Sequence, residues 1–273
     1  MPSQREFLAQ TGFLTFAHNS KDVNYFELAE MQAASIKRYM PAVPVAVVAD
    51  AETLLSAKTS KYFDKVICLE VDQRQDHGVF ANEMQAFNLT PFKETIKLES
   101  DLVLTRNILH WIYGFRHHNI LFPNKIVNFR NETVVDTTYR NFFRLNNLPN
   151  IYTGIYYFRF CAEASNFFKI VTNLFLNWNK HKNCWRSSPD LASTDVVFAI
   201  AARLYGEEQC TNPALSYPTM VHMKGALNDM PADSDWTDHL YYQLSQNNLN
   251  VGFYKQVYPF HYYKKSWRLC DES

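Results

Sequence analysis

Glu99 and Asp101 stand two apart in "TIKLESDLVL" (95–104), directly after a short apolar run. In an extended chain residues i and i+2 point to one side, so both carboxylates can face a single cation or polyphosphate beyond a strand end. Magnesium and manganese take hard oxygen ligands, typically one or two carboxylates with phosphate oxygens completing the shell. The same residues also suit a helix start, with Ser100 or Asp101 capping "LVLTRN". Lys97, two residues before Glu99, is out of place in a buried strand. A second group is His222 with Lys224 in "MVHMKGALND" (220–229). An imidazole is acceptable to manganese and a lysine two residues on can neutralise a diphosphate, although a histidine among apolar neighbours also serves structural roles. Asp195 lies near a helix start, where capping or the helix dipole accounts for an acid and chemistry requires that it face a cleft. Finally, "YKQVYPFHYYKKSWRL" (254–269) interleaves four basic residues with six aromatics and no acid. Such a stretch suits nucleic acid, a nucleotide or a sugar, or else a C-terminal strand with solvated lysines.

Elements must position these groups, and their periodicity is legible. "GFLTFA" (12–17) predicts a strand ending near Ala17, with the polar "HNSKD" as loop and helix cap. Phe26, Ala29, Ala33, Ile36 and Met40 then recur at helical spacing, giving one buried face. "VPVAVVAD" (43–50) is almost wholly apolar, as strands covered on both faces are. The alternation continues with a helix in "AETLLSAKTS", a strand in "KVICLEV" (65–71), a helix in "NEMQAFNLTPFKE" interrupted at Pro91, and a strand in "TIKL" (95–98). This predicts an α/β fold with a mainly parallel sheet, whose ligands bind beyond the carboxyl ends of the strands. Those ends are Ala17-His18, Asp50 and Glu99-Ser100-Asp101. Farther on, "ILHWIYGF" reads as a helix, "NILFP" as a strand, and the polar segment after it as a loop. "IYTGIYYFRF" (151–160) is a strand around Gly154, followed by two helices, the second with Ser193 or Thr194 at its N-cap.

Composition narrows the classes. At 273 residues the chain can bury a sizeable core, and one domain with appended elements is the simplest partition. The 27 basic and 27 acidic side chains cancel, so a polyanion would need a local patch rather than a global field. Only 7 Gly argue against a glycine-rich phosphate loop. Five scattered cysteines without a C-x-x-C pair exclude a disulfide framework and a zinc ribbon, and suit reduced thiols in the cytoplasm. Neither a signal peptide nor a membrane span is legible.

In their order along the chain, "GFLTFA", "AVVAD", "KLESDLVL", "YTGIYYFR", "STDVVFA" and "VHMKG" resemble the GT-A nucleotide-sugar glycosyltransferases, among them small phage-encoded ones with the "TPFKETIKLESD" run. The resemblance covers about 12–265. It implies a GT-A (Rossmann-like) sheet flanked by helices, a nucleotide-binding half over about 12–105 and an acceptor-binding half over about 106–273. It further implies metal-dependent transfer of a hexosyl or pentosyl group from a nucleoside diphosphate sugar, with a uridine diphosphate sugar expected and Mn2+ or Mg2+ as cofactor. On this likeness Asp101 and His222 ligate the metal, and Glu99 meets the metal or the ribose. Thr15, Ala17 and His18 line the nucleotide, with Asp50 near the base and Lys93 also on the donor side. Lys224 holds the diphosphate, Gly154 is the small residue ahead of the acceptor pocket, and Asp195 is the acid near the reacting sugar. The usual D-x-D is here E-S-D. The phage likeness makes a hydroxymethylated or glycosylated base in double-stranded DNA the expected acceptor, with a glycan or protein acceptor, or a non-catalytic nucleotide-binding module, as alternatives. A phosphatase of the haloacid-dehalogenase type would need an aspartate where Glu99 stands. A restriction-type nuclease would need an acid-x-lysine pair, whereas Leu102 and Val103 follow Asp101.

Overall fold

A computed structural model describes residues 10–222, 227, 241–245, 248–262 and 265. In chain order the first seven strands are β1 (Thr11–Ala17), β2 (Val45–Ala49), β3 (Lys65–Cys68), β4 (Glu94–Leu98), β5 (Leu102–Val103), β6 (Ile120–Leu121) and β7 (Ile155–Arg159). Five more follow: β8 (Val221–His222), β9 (Tyr242–Ser245), β10 (Asn248–Val251), β11 (Tyr254–Lys255) and β12 (Phe260–His261). The three longest helices are α1 (Tyr25–Tyr39), α2 (Ala162–Leu176) and α3 (Thr194–Tyr205).

Six strands form the central sheet in the order β3-β2-β1-β4-β7-β6. β1 pairs in parallel with β2 and β4, and β2 with β3. β7 alone runs against its neighbours β4 and β6. The fold is therefore mixed α/β with a mainly parallel sheet flanked by helices, as expected. Strand alternation divides the core in two. Leu14, Phe16, Val48, Tyr156 and Phe158 face α2 and α3, where Phe167, Phe168, Val197 and Phe198 meet them. Phe13, Val45, Ile96, Leu98 and Tyr157 face the other way, against Ala33 and Ile36 of α1 and the helix Leu109–Phe115. Each large side chain buried this way contributes roughly 1.5–3 kcal/mol, which offsets the ordering of the chain.

Two expectations for this region change. No helix starts at Ser100, because Leu102 and Val103 enter a second sheet, β5-β12-β8. "NEMQAFNLTPFKE" is two short turns, a 3-10 segment Ala81–Gln85 and a helix Ala86–Leu89, since Pro91 cannot continue a helix. The basic aromatic stretch contributes two short strands, β11 and β12, rather than one long one. Among the described residues no helix is long and apolar enough to cross a membrane, and Cys68, Cys161, Cys184 and Cys210 are free thiols.

Candidate active site

The site grows from the turn between β4 and β5. The Glu99 amide donates to the Gly154 carbonyl (3.0 Å), and the Leu102 amide closes the turn on the Glu99 carbonyl (3.1 Å). From behind, Gln32 of α1 donates its side-chain amide to the carbonyls of Glu99 and of Leu102, the latter at 2.8 Å. Ser35, one turn on, accepts from the Leu104 amide at 3.0 Å. This clamp aims Glu99 and Asp101 out of the sheet edge. β12 then lies between β5 and β8, with His261 in register with Leu102 on one side and His222 on the other.

His261 Nε2 lies 3.2 Å from Glu99 Oε2 and 3.2 Å from Asp101 Oδ2. One ligand atom from each of these three residues falls within 4.8 Å of the others, a spacing that can hold a metal ion. Two carboxylates and an imidazole are a donor set that can take a divalent cation. His222 stacks on His261 with ring centroids 5.0 Å apart and planes 8° from parallel. Lys265 pairs with Asp101, and burial lowers its pKa against the raising influence of Glu99. Gly154 leaves room for Met220: a Cβ there would sit 2.6 Å from Met220 Sδ and would displace the end of that side chain.

These groups form one end of a cleft of about 720 Å3 beyond the carboxyl ends of the strands. Its lining carries four carboxylates, Asp72, Glu83, Glu99 and Asp101, against three cations, Arg74, Lys97 and Lys265. Among the described residues one negative charge remains on this lining, and Asp50, paired behind Arg74, adds a second, so a divalent cation would neutralise the cleft. At the other end Arg74 binds both oxygens of Asp72 and donates to Asp50 Oδ2 at 2.9 Å and to the Asn19 carbonyl at 3.2 Å. Hydrogen bonding from Arg74 holds the Asp72 carboxyl well below its usual range. His18 is pushed down to about 4 by burial and by Arg74, so its imidazole is neutral at pH 7. Its Nδ1 lies 3.4 Å from the Asn82 amide, and its buried Nε2 has no hydrogen-bond partner.

Glu99, Asp101, His18 and His222 line one cleft. Thr15 and Ala17 do not line it, because they belong to the opposite parity of β1 and are buried toward α1; Phe16 and His18 present the cleft face. Asp50 is buried behind Arg74 and accepts from the Thr53 amide and hydroxyl. Lys93 is exposed just before β4, at the end away from the cleft, roughly 20 Å of strand from Glu99. Asp195 accepts from the Thr153 hydroxyl (2.6 Å), the Thr153 amide (2.9 Å) and Arg140 (3.3 Å). The Thr153 hydroxyl also lies 3.3 Å from Glu99 Oε1, so Asp195 reaches the carboxylate pair through one side chain. Lys224 lies outside the described residues.

No known protein family matches the sequence, and no curated protein matches it. Among solved structures it is similar to glycosyltransferases. Mouse xyloside xylosyltransferase 1 is 12% identical with a TM-score of 0.49, covering 74% of this chain and 84% of that one. An active-site mutant of LgtC is 10% identical with a TM-score of 0.48, covering 73% and 72%. The glycosyltransferase GlyE of Streptococcus pneumoniae TIGR4 is 11% identical with a TM-score of 0.45; the alignment covers 75% of this chain and 45% of GlyE. At that identity no residue role passes to this chain.

The sequence did not single out His261, Lys265, Arg74 or Glu83, and marked Lys97 only as a residue out of place in a buried strand. For the first two a signal was present: "HYYKK" repeats the histidine-then-lysine order of "HMK", inside the stretch singled out for its charge and aromatics. For Arg74 and Glu83 no local pattern exists, since both sit in short turns whose direction is set by the sheet.

Proposed function

We propose that the chain is a metal-dependent glycosyltransferase that moves a sugar from a nucleoside diphosphate sugar to an acceptor hydroxyl. The observation that carries this reading is the Glu99–Asp101–His261 cluster opening into a deep cleft at the carboxyl edge of a parallel sheet. Glu99, Asp101 and His261 would hold a divalent ion, with His222 stacked behind His261 as a support or further ligand. When bound, that ion supplies a positive centre for the charge that builds on the diphosphate. Lys265, already drawn to Asp101, adds its ammonium to the same leaving group. Lys224, which the sequence offers as a further diphosphate contact, lies outside the described residues. In the reaction the bond from the anomeric carbon to the diphosphate oxygen breaks, a bond to the acceptor oxygen forms, and the acceptor proton passes to a base or to water. Asp195, with three donors on its carboxylate, orients Thr153 and Glu99 in this arrangement. His18 and Arg74 form the nucleoside end, where neutral His18 can accept from or donate to a base.

For the acceptor, the notion of a modified base in DNA draws on the exposed Tyr254–Lys255 strand. The inward pairing of Lys265 removes one cation from such a surface. The experiment is hydrolysis of uridine diphosphate sugars with manganese, followed by transfer to hydroxymethylcytosine duplexes, glycans and proteins. Slow hydrolysis that disappears in Asp101→Asn and His261→Ala is expected. Hydrolysis that survives both substitutions, or persists in chelator, overturns the reading.

A further inference from the structure

Lys97 is the anomaly of the central sheet. It lies next to the carboxyl end of β4, 1% exposed, where a cation loses its hydration and an apolar residue would pack at least as well. Its Nζ is 2.5 Å from Glu83 Oε1 and 5.4 Å from the Phe16 ring centroid. The pair leaves a donor and an acceptor over. An ammonium has three protons, of which the ion pair uses one. Glu83 Oε2 is buried with no hydrogen-bond partner, and so is the hydroxyl of Tyr156, which pairs with Lys97 across β4 and β7. Both Lys97 and Glu83 line the cleft. Lys97 is two residues before Glu99 on the same side of the strand, about 7 Å from it along β4. Phe16, Val79 and Phe80 supply an apolar wall beside them. An unmatched donor and acceptor next to an apolar wall match the alternating hydroxyl and C–H surfaces of a pyranose.

We propose that the Lys97–Glu83 pair determines sugar specificity, holding two hydroxyls on adjacent carbons of the donor sugar: one donates to Glu83 Oε2 while the other accepts from Lys97 Nζ. This rests on the glycosyltransferase reading and deepens it, for it predicts a donor whose ring carries two free vicinal hydroxyls. A deoxy sugar at either position leaves one charged group unmatched in the cleft.

The test is calorimetric, in manganese, with uridine and guanosine diphosphates against UDP-glucose, UDP-galactose and GDP-mannose. For the native protein a sugar nucleotide should bind roughly 10–100-fold more tightly than its diphosphate. In Lys97→Met/Glu83→Gln, which leaves no unpaired buried charge, the diphosphate affinity should hold while that advantage falls to about 3-fold or less. Because the variant can fail to fold, the native protein is also titrated with singly deoxygenated donors. Loss confined to two adjacent ring positions is expected. An unchanged advantage in a folded double variant, or indifference to deoxygenation at every position, overturns the role of the pair while leaving the function intact. If no diphosphate or sugar nucleotide binds, the functional reading falls and takes this one with it.

Discussion

Thr153 joins two acids of the site, Asp195 and Glu99. Its hydroxyl has a single proton, and the 2.6 Å contact assigns that proton to Asp195 or, by rotation, to Glu99 at 3.3 Å. Arg140, packed over the rings of Phe143 and Tyr152 at 3.7 and 4.1 Å, holds Asp195 from the other side, and Thr153 and His261 each contact one oxygen of Glu99. Thr153→Val keeps the shape and removes the link. It should cost about 1 kcal/mol of stability and weaken manganese binding roughly 10-fold, with Thr153→Ser restoring most of the affinity. Calorimetric titration of the metal checks this, and an unchanged affinity in the valine variant would show the hydroxyl to be idle. His18 gives a pH dependence. Its folded value, about 4, lies below the 6.5 of an ordinary imidazole, because burial and Arg74 disfavour the cation while Asp50 and Asp72 only partly compensate. Between those values the unfolded chain binds a proton that the folded chain does not. The stability contributed by neutral His18 is therefore complete above about pH 6.5 and is lost as the pH falls toward 4. In urea denaturation at pH 7 and pH 4.5, His18→Gln should lose less stability on acidification than the native protein, by on the order of 1–2 kcal/mol. Equal losses would refute the assignment.

At the scale of elements, the strands and the helical face of α1 were legible because burial on two faces leaves apolar runs and 3.6-residue spacing. What periodicity does not give is parity. "GFLTFA" reads as a strand either way round, and only packing decides that Phe16 and His18, not Thr15 and Ala17, meet the cleft. Nor does it give long-range pairing. His222 and His261 look alike as histidines before lysines, and the placement of β12 between β5 and β8 is what brings His261 to the carboxylates. The role of α1 was equally hidden, since a glutamine on the buried side of a helix looks like a flaw in its apolar stripe. Gln32 is fully buried and serves two carbonyls of the Glu99–Leu102 turn. Gln32→Leu removes both donors without creating a void, so the carbonyls stay buried and unmet. A loss of about 2 kcal/mol in chemical denaturation is expected, together with weaker metal binding because the turn is no longer clamped. A variant as stable as the native protein would show that the turn holds itself.

At the scale of the whole molecule, the three candidate ligands come from two distant parts of the chain. Glu99 and Asp101 leave the central sheet, whereas His261 arrives on β12, which has no other strand partners than β5 and β8 among the described residues. The join between these parts comprises two register pairs with β5, two with β8, the Tyr262 amide on the Asp101 carbonyl at 3.1 Å, the Thr105 hydroxyl on the Tyr258 carbonyl at 2.7 Å, and Phe260 and Tyr262 packed with Leu28 and Val103. Two carboxylates and an imidazole facing one another, with Lys265 against Asp101, hold together less firmly than the same atoms around a divalent ion. Metal binding should therefore stabilise the fold itself, and not merely enable turnover. At manganese near 100 times its dissociation constant the gain is about 2.7 kcal/mol. For a chain of this size that raises the unfolding midpoint by roughly 5–10 °C. The measurement is a thermal melt with and without manganese, in the native protein, in His261→Ala and in Asp101→Asn. The shift should shrink in both variants, and most in Asp101→Asn, where the carboxylate shared by His261 and Lys265 loses its charge. A shift of equal size in all three proteins would place the ion elsewhere and separate the cluster from any role in binding it.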